Sequence, residues 1–275
     1  MPVADGVTVA LDGFGAEQGF DVLAEGVRLA AADGVRIRVF GPEPELNLAG
    51  VDGVEVIPTS EWIGNDEDPV PAVRAKKEAS IVRAARDVAA GDADAMASPG
   101  STGATMAAAT FGLRRLKGVQ RPALAVQLPV PGQSVLFLDV GANVEVRAQH
   151  LIQFAFLGAA FSEAVLGVER PRVGLLSVGE EAGKGREGVV AAHAQLTAAP
   201  GIEFIGNVEG GDLPSGAVDV VVTDGFTGNI SLKLMEGTAR TVTTAIREAA
   251  RSNPLATLGG LLMRPALGGL RRELH

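Results

Sequence analysis

The sequence predicts an α/β protein with a doubly wound, mostly parallel sheet, and three observations carry that expectation. Short β-branched runs alternate with Ala-rich stretches of helical composition, the pattern of parallel strands joined by crossover helices. Several strand runs, such as Val135–Val140 (VLFLDV) and Asp219–Asp224 (DVVVTD), are almost continuously apolar, as strands covered by helices on both faces must be. Each run closes on a polar, Gly-rich turn, and glycine supplies 36 of 275 residues, roughly twice its usual share.

In chain order, strands are expected at Val7–Leu11, Val35–Phe40, Val54–Ile57, Ala93–Ala97, Ala123–Leu128, Ser134–Asp139, Arg172–Val178, Ile202–Ile205 and Val218–Thr223, where apolar and β-branched residues concentrate. Between them, helices are expected at Gln18–Ala32, Pro71–Ala90, Thr102–Leu116, Arg147–Val168, Arg186–Ala198 and Gly228–Arg251. Residues 41–73 hold eight acidic and no basic residues with several Pro and Gly, which reads as a solvated irregular excursion. Arg74, Lys76 and Lys77 would then fall in the first turns of the helix opened by Pro71, where positive charge meets the positive end of the dipole. The length fits one large or two modest domains, and a single α/β catalytic domain over residues 1–275 is expected. It ends in a basic, Leu-rich helical segment over residues 252–275, with Leu255, Leu258, Leu262, Leu267 and Leu270 at near-helical spacing.

Composition excludes several classes of chemistry. With no cysteine there are no disulfides, thiolate nucleophiles or cysteine-ligated metals. His150, His193 and His275 are the only histidines, and none has the spacing of a metal ligand. The G-x-S-x-G elbow of a serine nucleophile is absent, so a covalent Ser–His or Cys–His mechanism is disfavoured, and neither metal nor cofactor is expected. A net charge of −9 argues against nucleic acid as the partner. The first residues lack the basic and apolar regions of a signal peptide. The apolar stretch near Leu151–Phe161 is interrupted by Gln153 and too short to span a bilayer, so no transmembrane helix is expected, and the lack of cysteine is compatible with the cytoplasmic location expected here.

Function is sought in the turns after the strands, because ligands of open parallel sheets bind beyond the carboxyl ends. Ser98–Ala104 (SPGSTGA) follows one strand and opens an Ala-rich helix, so unpaired N–H groups and the positive dipole end meet there. An anion suits that turn, and so does an ordinary Ser/Thr cap. Ser177–Gly185 (SVGEEAGKG) places Lys184 among glycines, which suits a phosphate group; Gly183, Gly185 and Gly188 also satisfy G-x-G-x-x-G, a weak dinucleotide signal because GEEA intervenes after the strand. Leu138–Asn143 (LDVGAN) and Thr223–Asn229 (TDGFTGN) share a form: a buried strand, an Asp at its end, a Gly, then an Asn opening a helix. Asp139 and Asp224 can orient a cation or amide, Asn143 and Asn229 can donate to an anion, and all four can equally serve as caps.

Taken together, DGFGAEQG, RAKKEAS, ADAMASPGSTGATMAAA, RPALAVQLP, LDVGAN, QFAFLGAAF, RVGLLSVGEEAGKG, FIGNVEGGDL and DVVVTDGFTGNISLKLMEG resemble, in order and spacing, the bacterial phosphate acyltransferases of phospholipid synthesis. The resemblance implies a Rossmann-like fold similar to phosphotransacetylases and to isocitrate or isopropylmalate dehydrogenases. It also implies transfer of an acyl group from acyl carrier protein to inorganic phosphate by an enzyme that is a homodimer and touches the membrane peripherally. Phosphate-loop roles would fall on Ser98, Thr102, Gly103 and Ala104, and reaction-site roles on Asp139, Asn143, Glu180, Lys184, Asp224 and Asn229.

Pro99 and Ser101 depart from the SAGNTGA form of the family loop, DGFGAEQG departs from DAMGGD by lacking its second acid, and the family pattern continues for some fifty residues past the basic Leu-rich stretch. Arg114, Arg115, Lys117 and Arg121, or Arg264, Arg271 and Arg272, are the basic clusters that would dock an acidic carrier. The second cluster, with Leu258, Leu261 and Leu262, would alternatively meet a membrane surface. A nucleotide-dependent oxidoreductase and a noncatalytic carrier- or lipid-binding protein are the competing readings.

Overall fold

The computed structural model describes residues 6–130, 132–259 and 262–263. It divides into two compact units, Met1–Gly118 and Val119–His275, and each has its own sheet, in place of the single sheet expected from the sequence.

The first unit carries β1 (Thr8–Asp12), α1 (Phe20–Ala32), β2 (Arg36–Gly41), α2 (Glu43–Leu46), β3 (Val54–Pro58), α3 (Pro69–Ala75), α4 (Ser80–Ala90), β4 (Ala95–Ala97) and α5 (Thr102–Gly112). Its four strands are all parallel in the order β3-β2-β1-β4. The period of two along β2 sends its side chains to opposite layers. Ile37 and Val39 join Ala24 and Val27 of α1, whereas Phe40 joins Ala84 of α4 and Arg38 pairs with Asp87 of α4 at 2.6 Å. Both faces are therefore covered, as the apolar strand runs require. A third cluster gathers Val73 of α3, Ile81 and Ala85 of α4, and Ala104, Ala107 and Ala108 of α5. Alanine there lets helices approach: a Cβ on Gly112 would already lie 3.1 Å from Ala85 Cβ.

The expected helix Pro71–Ala90 is two helices, interrupted at residues 76–79. Long-range contacts hold the break: Lys76 Nζ binds Glu67 and the Trp62 carbonyl, Glu78 N–H donates to Glu61 Oε2, and Ser80 N–H donates to the Glu61 carbonyl. Arg74 and Lys76 thus sit at a helix C-terminus, where positive charge is favourable, and not in a first turn. Residues 41–73, expected to be irregular, hold α2 and the start of α3 besides β3.

The second unit carries β5 (Ala125–Val130), β6 (Gln133–Leu138), α6 (Ala148–Ala164), β7 (Arg172–Leu176), α7 (Glu187–Thr197), β8 (Glu203–Val208), β9 (Val220–Val222) and α8 (Gly225–Arg251). The sheet order is β5-β6-β9-β7-β8, with β5 antiparallel to β6 and every other pair parallel. Leu136, Leu138, Val220 and Val222 face Leu151, Phe154 and Ala155 of α6, while the alternate residues Phe137 and Val221 belong to the cluster that Leu232 and Met235 of α8 join. Gly158 of α6 permits the close fit, since a Cβ there would stand 2.6 Å from Val220 Cγ1. Of the 27 residues of α8, only Gly225 and Gly228 are buried.

Residues 254–259 are helical, but Leu261, Arg264, Leu267, Leu270, Arg271 and Arg272 of the expected basic segment lie outside the described residues. No helix among the described residues is long and apolar enough to cross a membrane.

Candidate active site

In the first unit the candidate residues converge on the carboxyl end of β1 and the start of α5. Ser101 caps α5, its Oγ accepting from Ala104 N–H at 3.3 Å, so the capping reading holds for Ser101 and the Ala104 amide is engaged. Among the described residues no hydrogen bond engages the N–H groups of Thr102 and Gly103, the first two of the helix. These are the donors open to an anion, at the positive end of the dipole.

Ser98 does not have a free hydroxyl. Its Oγ donates to Asp12 Oδ2 at 2.7 Å and accepts from Gly100 N–H at 3.0 Å, which shapes the loop and leaves no proton for a ligand. Close approach at glycine completes the arrangement: a Cβ on Gly15, where φ is +84°, would lie 2.5 Å from Gly100 Cα. Gly103 touches Pro69, with 3.0 Å from a notional Cβ to Pro69 Cγ.

In the second unit three of the expected residues, Asp139, Asn143 and Asp224, have their polar groups engaged by the fold itself. Asp139 is fully buried and accepts from the N–H groups of Leu124, Gly141, Ala142 and Asn143 and from the Asn143 amide, at 2.8–3.2 Å. Both Nδ2 hydrogens of Asn143 are used, one on Asp139 and one on the Pro122 carbonyl at 2.7 Å. Asp139 therefore has no lone pair directed at a ligand, and Asn143 has no side-chain donor to offer an oxyanion. Asp224 is the N-cap of α8, with its carboxylate on Thr227 N–H at 2.9 Å and Thr227 Oγ1 at 2.8 Å. The Arg186 guanidinium lies 3.7 Å from the same carboxylate. Gly225 and Gly228, which were not singled out in the sequence, let α8 start against the Asp139 turn: a Cβ on Gly225 would lie 2.8 Å from Asn143 N, and one on Gly228 would collide with the Asp139 carbonyl.

Asn229, Lys184 and Glu180 are different. All three are exposed, and among the described residues none of their side-chain polar atoms has a hydrogen bond or ion pair. The turn bearing Lys184 is nonetheless held in shape. Lys184 N–H donates to the Glu181 carbonyl, Ser177 Oγ donates to the Lys184 carbonyl, and Asn207 Nδ2 donates to the Glu181 carbonyl at 2.9 Å. Asn207 Oδ1 faces His193 Nδ1 at 3.0 Å, which requires the proton on that nitrogen. Residues 177–186 separate β7 from α7, so the glycines of GKGREG do not form the tight strand-to-helix turn of a dinucleotide site.

Two solved structures share this architecture. The EutD phosphotransacetylase from Staphylococcus aureus is 20% identical, with a TM-score of 0.60 over 85% of this chain and 82% of that one. A branched-chain phosphotransacylase from Enterococcus faecalis V583 is 18% identical, with a TM-score of 0.53 over 82% of this chain and 83% of that one. The fold is thus an α/β fold of the phosphotransacetylase type. The model of the fatty acid synthesis protein family matches residues 7–274, and the chain belongs to that family. It is 44% identical over 271 residues to a phosphate acyltransferase of Geobacillus sp. (strain WCH70), spanning 97% of this chain and 82% of that relative. It is also 44% identical over 262 residues to a phosphate acyltransferase of Lacticaseibacillus casei (strain BL23), spanning 93% and 77%.

Proposed function

We propose that the chain is a phosphate acyltransferase of fatty acid and phospholipid synthesis, which moves an acyl group from the thioester of acyl carrier protein to inorganic phosphate. The observation that carries the reading is the pair of open N–H groups at Thr102 and Gly103, in a chain whose relatives are phosphate acyltransferases. Hydrogen phosphate attacks the thioester carbonyl, the C–O bond forms as the C–S bond breaks, and the phosphate proton passes to the departing sulfur. Acyl phosphate and a free thiol result, and no protein nucleophile or cofactor takes part. Binding both reactants in attack geometry supplies up to about 7–11 kcal/mol.

In the second unit the side chains of Lys184 and Asn229 keep donors that no hydrogen bond or ion pair engages among the described residues, and they are the ones left for a part in the reaction. Asp139, Asn143 and Asp224 hold the turns, and Glu180 lies beside the lysine turn.

The exposed apolar pairs Ile230 with Leu234 and Val242 with Ile246 along α8 support a homodimer contact. A cytoplasmic enzyme that meets the membrane through residues 252–275 completes the reading. Incubation of long-chain acyl carrier protein with inorganic phosphate and the enzyme, followed by mass spectrometry, should reveal acyl phosphate in proportion to enzyme. Release of free fatty acid, or no turnover, would rule the reaction out.

A further inference from the structure

Asp12, the last residue of β1, is a carboxylate with no part in the account so far. It is 6% exposed, and among the described residues no Lys, Arg or His pairs with it. Its oxygens take three donors instead: Ser80 Oγ at 2.5 Å and Phe14 N–H at 3.1 Å on Oδ1, and Ser98 Oγ at 2.7 Å on Oδ2. Burial without a counter-cation opposes ionisation and raises its carboxyl above the ordinary value, although the two serines and the Phe14 amide pull it back. A carboxylate buried without a counter-cation costs stability whatever its use, so its presence here calls for a role other than holding the fold.

The connectivity indicates what that is. Ser98 orders the loop in both directions, giving its proton to Asp12 and taking the Gly100 N–H. Gly100 rests on Gly15, three residues past Asp12, and the loop then runs through Ser101, the cap of α5, to the open amides of Thr102 and Gly103. Ser80 makes the second bond to the same carboxylate from α4, an element that carries none of those amides.

We infer that Asp12 is a positioning residue for phosphate: its ionised carboxylate, acting through Ser98, fixes the loop so that the Thr102 and Gly103 N–H groups point at the anion. The inference rests on the reading of this loop as the phosphate site. It assigns the opening motif a function in acceptor binding and not in acyl recognition. It also separates two serines that look equivalent, since only the Ser98 bond lies on the path to the amides.

Steady-state kinetics with phosphate and acyl carrier thioester varied in turn, joined to melting curves, test this with Ser98→Ala, Ser98→Thr, Ser80→Ala and Asp12→Asn. The chain's single tryptophan, Trp62, is stacked 5.9 Å from Phe14, and its fluorescence should change as phosphate is added to the parent enzyme. Ser98→Ala and Asp12→Asn should raise KM for phosphate about tenfold or more, the worth of a hydrogen bond to a charged group, with kcat and KM for the thioester nearly unchanged. Ser98→Thr keeps the hydroxyl and should recover most of the loss. Ser80→Ala should lower the melting temperature and leave KM for phosphate within about threefold.

If Ser98→Ala and Ser80→Ala shift KM for phosphate alike, or Ser98→Ala leaves it unchanged, the inference is overturned. If Asp12→Asn does not fold, the two Ser98 variants decide. Should the parent enzyme show no saturable dependence on phosphate, it is the phosphate reading that fails, a result separate from either outcome above.

Discussion

Gly228 stands directly against the main-chain carbonyl of Asp139, leaving no space for a Cβ between α8 and the turn after β6. Asp139 gathers five donors from its own turn and from Leu124, so the carbonyl cannot swing aside without breaking that set. The glycine is what allows a helix carrying Asn229 to begin where it does.

Gly228→Ala should therefore cost about 1–3 kcal/mol or more, as overpacking of a rigid site does, and displace Asn229 with it. Gly26→Ala is the control: a Cβ there meets nothing within 4 Å in the middle of α1, and the change should stabilise by about 0.5–1 kcal/mol. Differential scanning calorimetry of the two variants checks both signs. Equal melting temperatures would mean that the Asp139 turn yields easily.

Much of the fold was legible because its signal is local. All nine expected strands form, since apolar β-branched runs such as Val220–Val222 have few other uses. The division of residues 69–90 into α3 and α4 was not legible, because the contacts that impose it come from Glu61, Trp62 and Glu67, outside any helical window. At the site, Ser98, Thr102 and Gly103 follow from a strand–turn–helix pattern. That Ser98 is spoken for depends on Asp12, 86 residues away. Asp139 and Asn143 have the residue types of a ligand site, yet both are taken up by their own turn, by each other and by Leu124 and Pro122, and spacing alone cannot distinguish the two uses.

Thr102→Pro tests the phosphate loop with little disturbance. Proline is favoured at the first helical position, and Ser101 before it already has φ −59° and ψ 117°, which a following proline tolerates. The fold should survive and one anion donor should vanish, so KM for phosphate should rise about tenfold while the melting temperature moves little. A phosphate KM equal to that of the parent would remove the Thr102 amide from the site.

Asn143 and Asn229 should respond oppositely to truncation. Asn229→Ala, at an exposed side chain with no bonds to lose, should reduce kcat by about 10²–10³ and leave stability unchanged. Asn143→Ala breaks one buried and one part-buried hydrogen bond and should lower the melting temperature, with activity falling as a consequence. Lys184→Ala should slow phosphate-dependent transfer about a hundredfold or more without a change in melting. Full activity in Asn229→Ala or Lys184→Ala would take that residue out of the reaction.

The exposed apolar pairs of α8 predict the assembly. Leu234 and Ile246 are 69% and 55% exposed, on a helix whose only buried residues are two glycines at its start. The double variant Leu234→Arg, Ile246→Arg should convert a dimer to a monomer in sedimentation velocity, because a charge in the middle of an apolar contact is left unpaired. A parent enzyme that already sediments as a monomer would dispose of the contact.

The last prediction concerns pH and follows from the sign of the Asp12 shift. Its folded carboxyl titrates above the ordinary 3.8, chiefly because it is buried. Between the unfolded and folded values the native state holds more protons than the unfolded chain, so this group subtracts stability as pH rises through that window, and the loss is complete above it. Asp12→Asn removes the titration while keeping an oxygen that can accept from one serine. The stability of Asp12→Asn relative to the parent should therefore increase from about pH 3.5 towards neutrality. At neutral pH, phosphate binding should be weaker in the same variant, so that stability and function separate at one residue. Parallel melting-temperature profiles for the two proteins across that range would mean that burial of the Asp12 charge carries no cost.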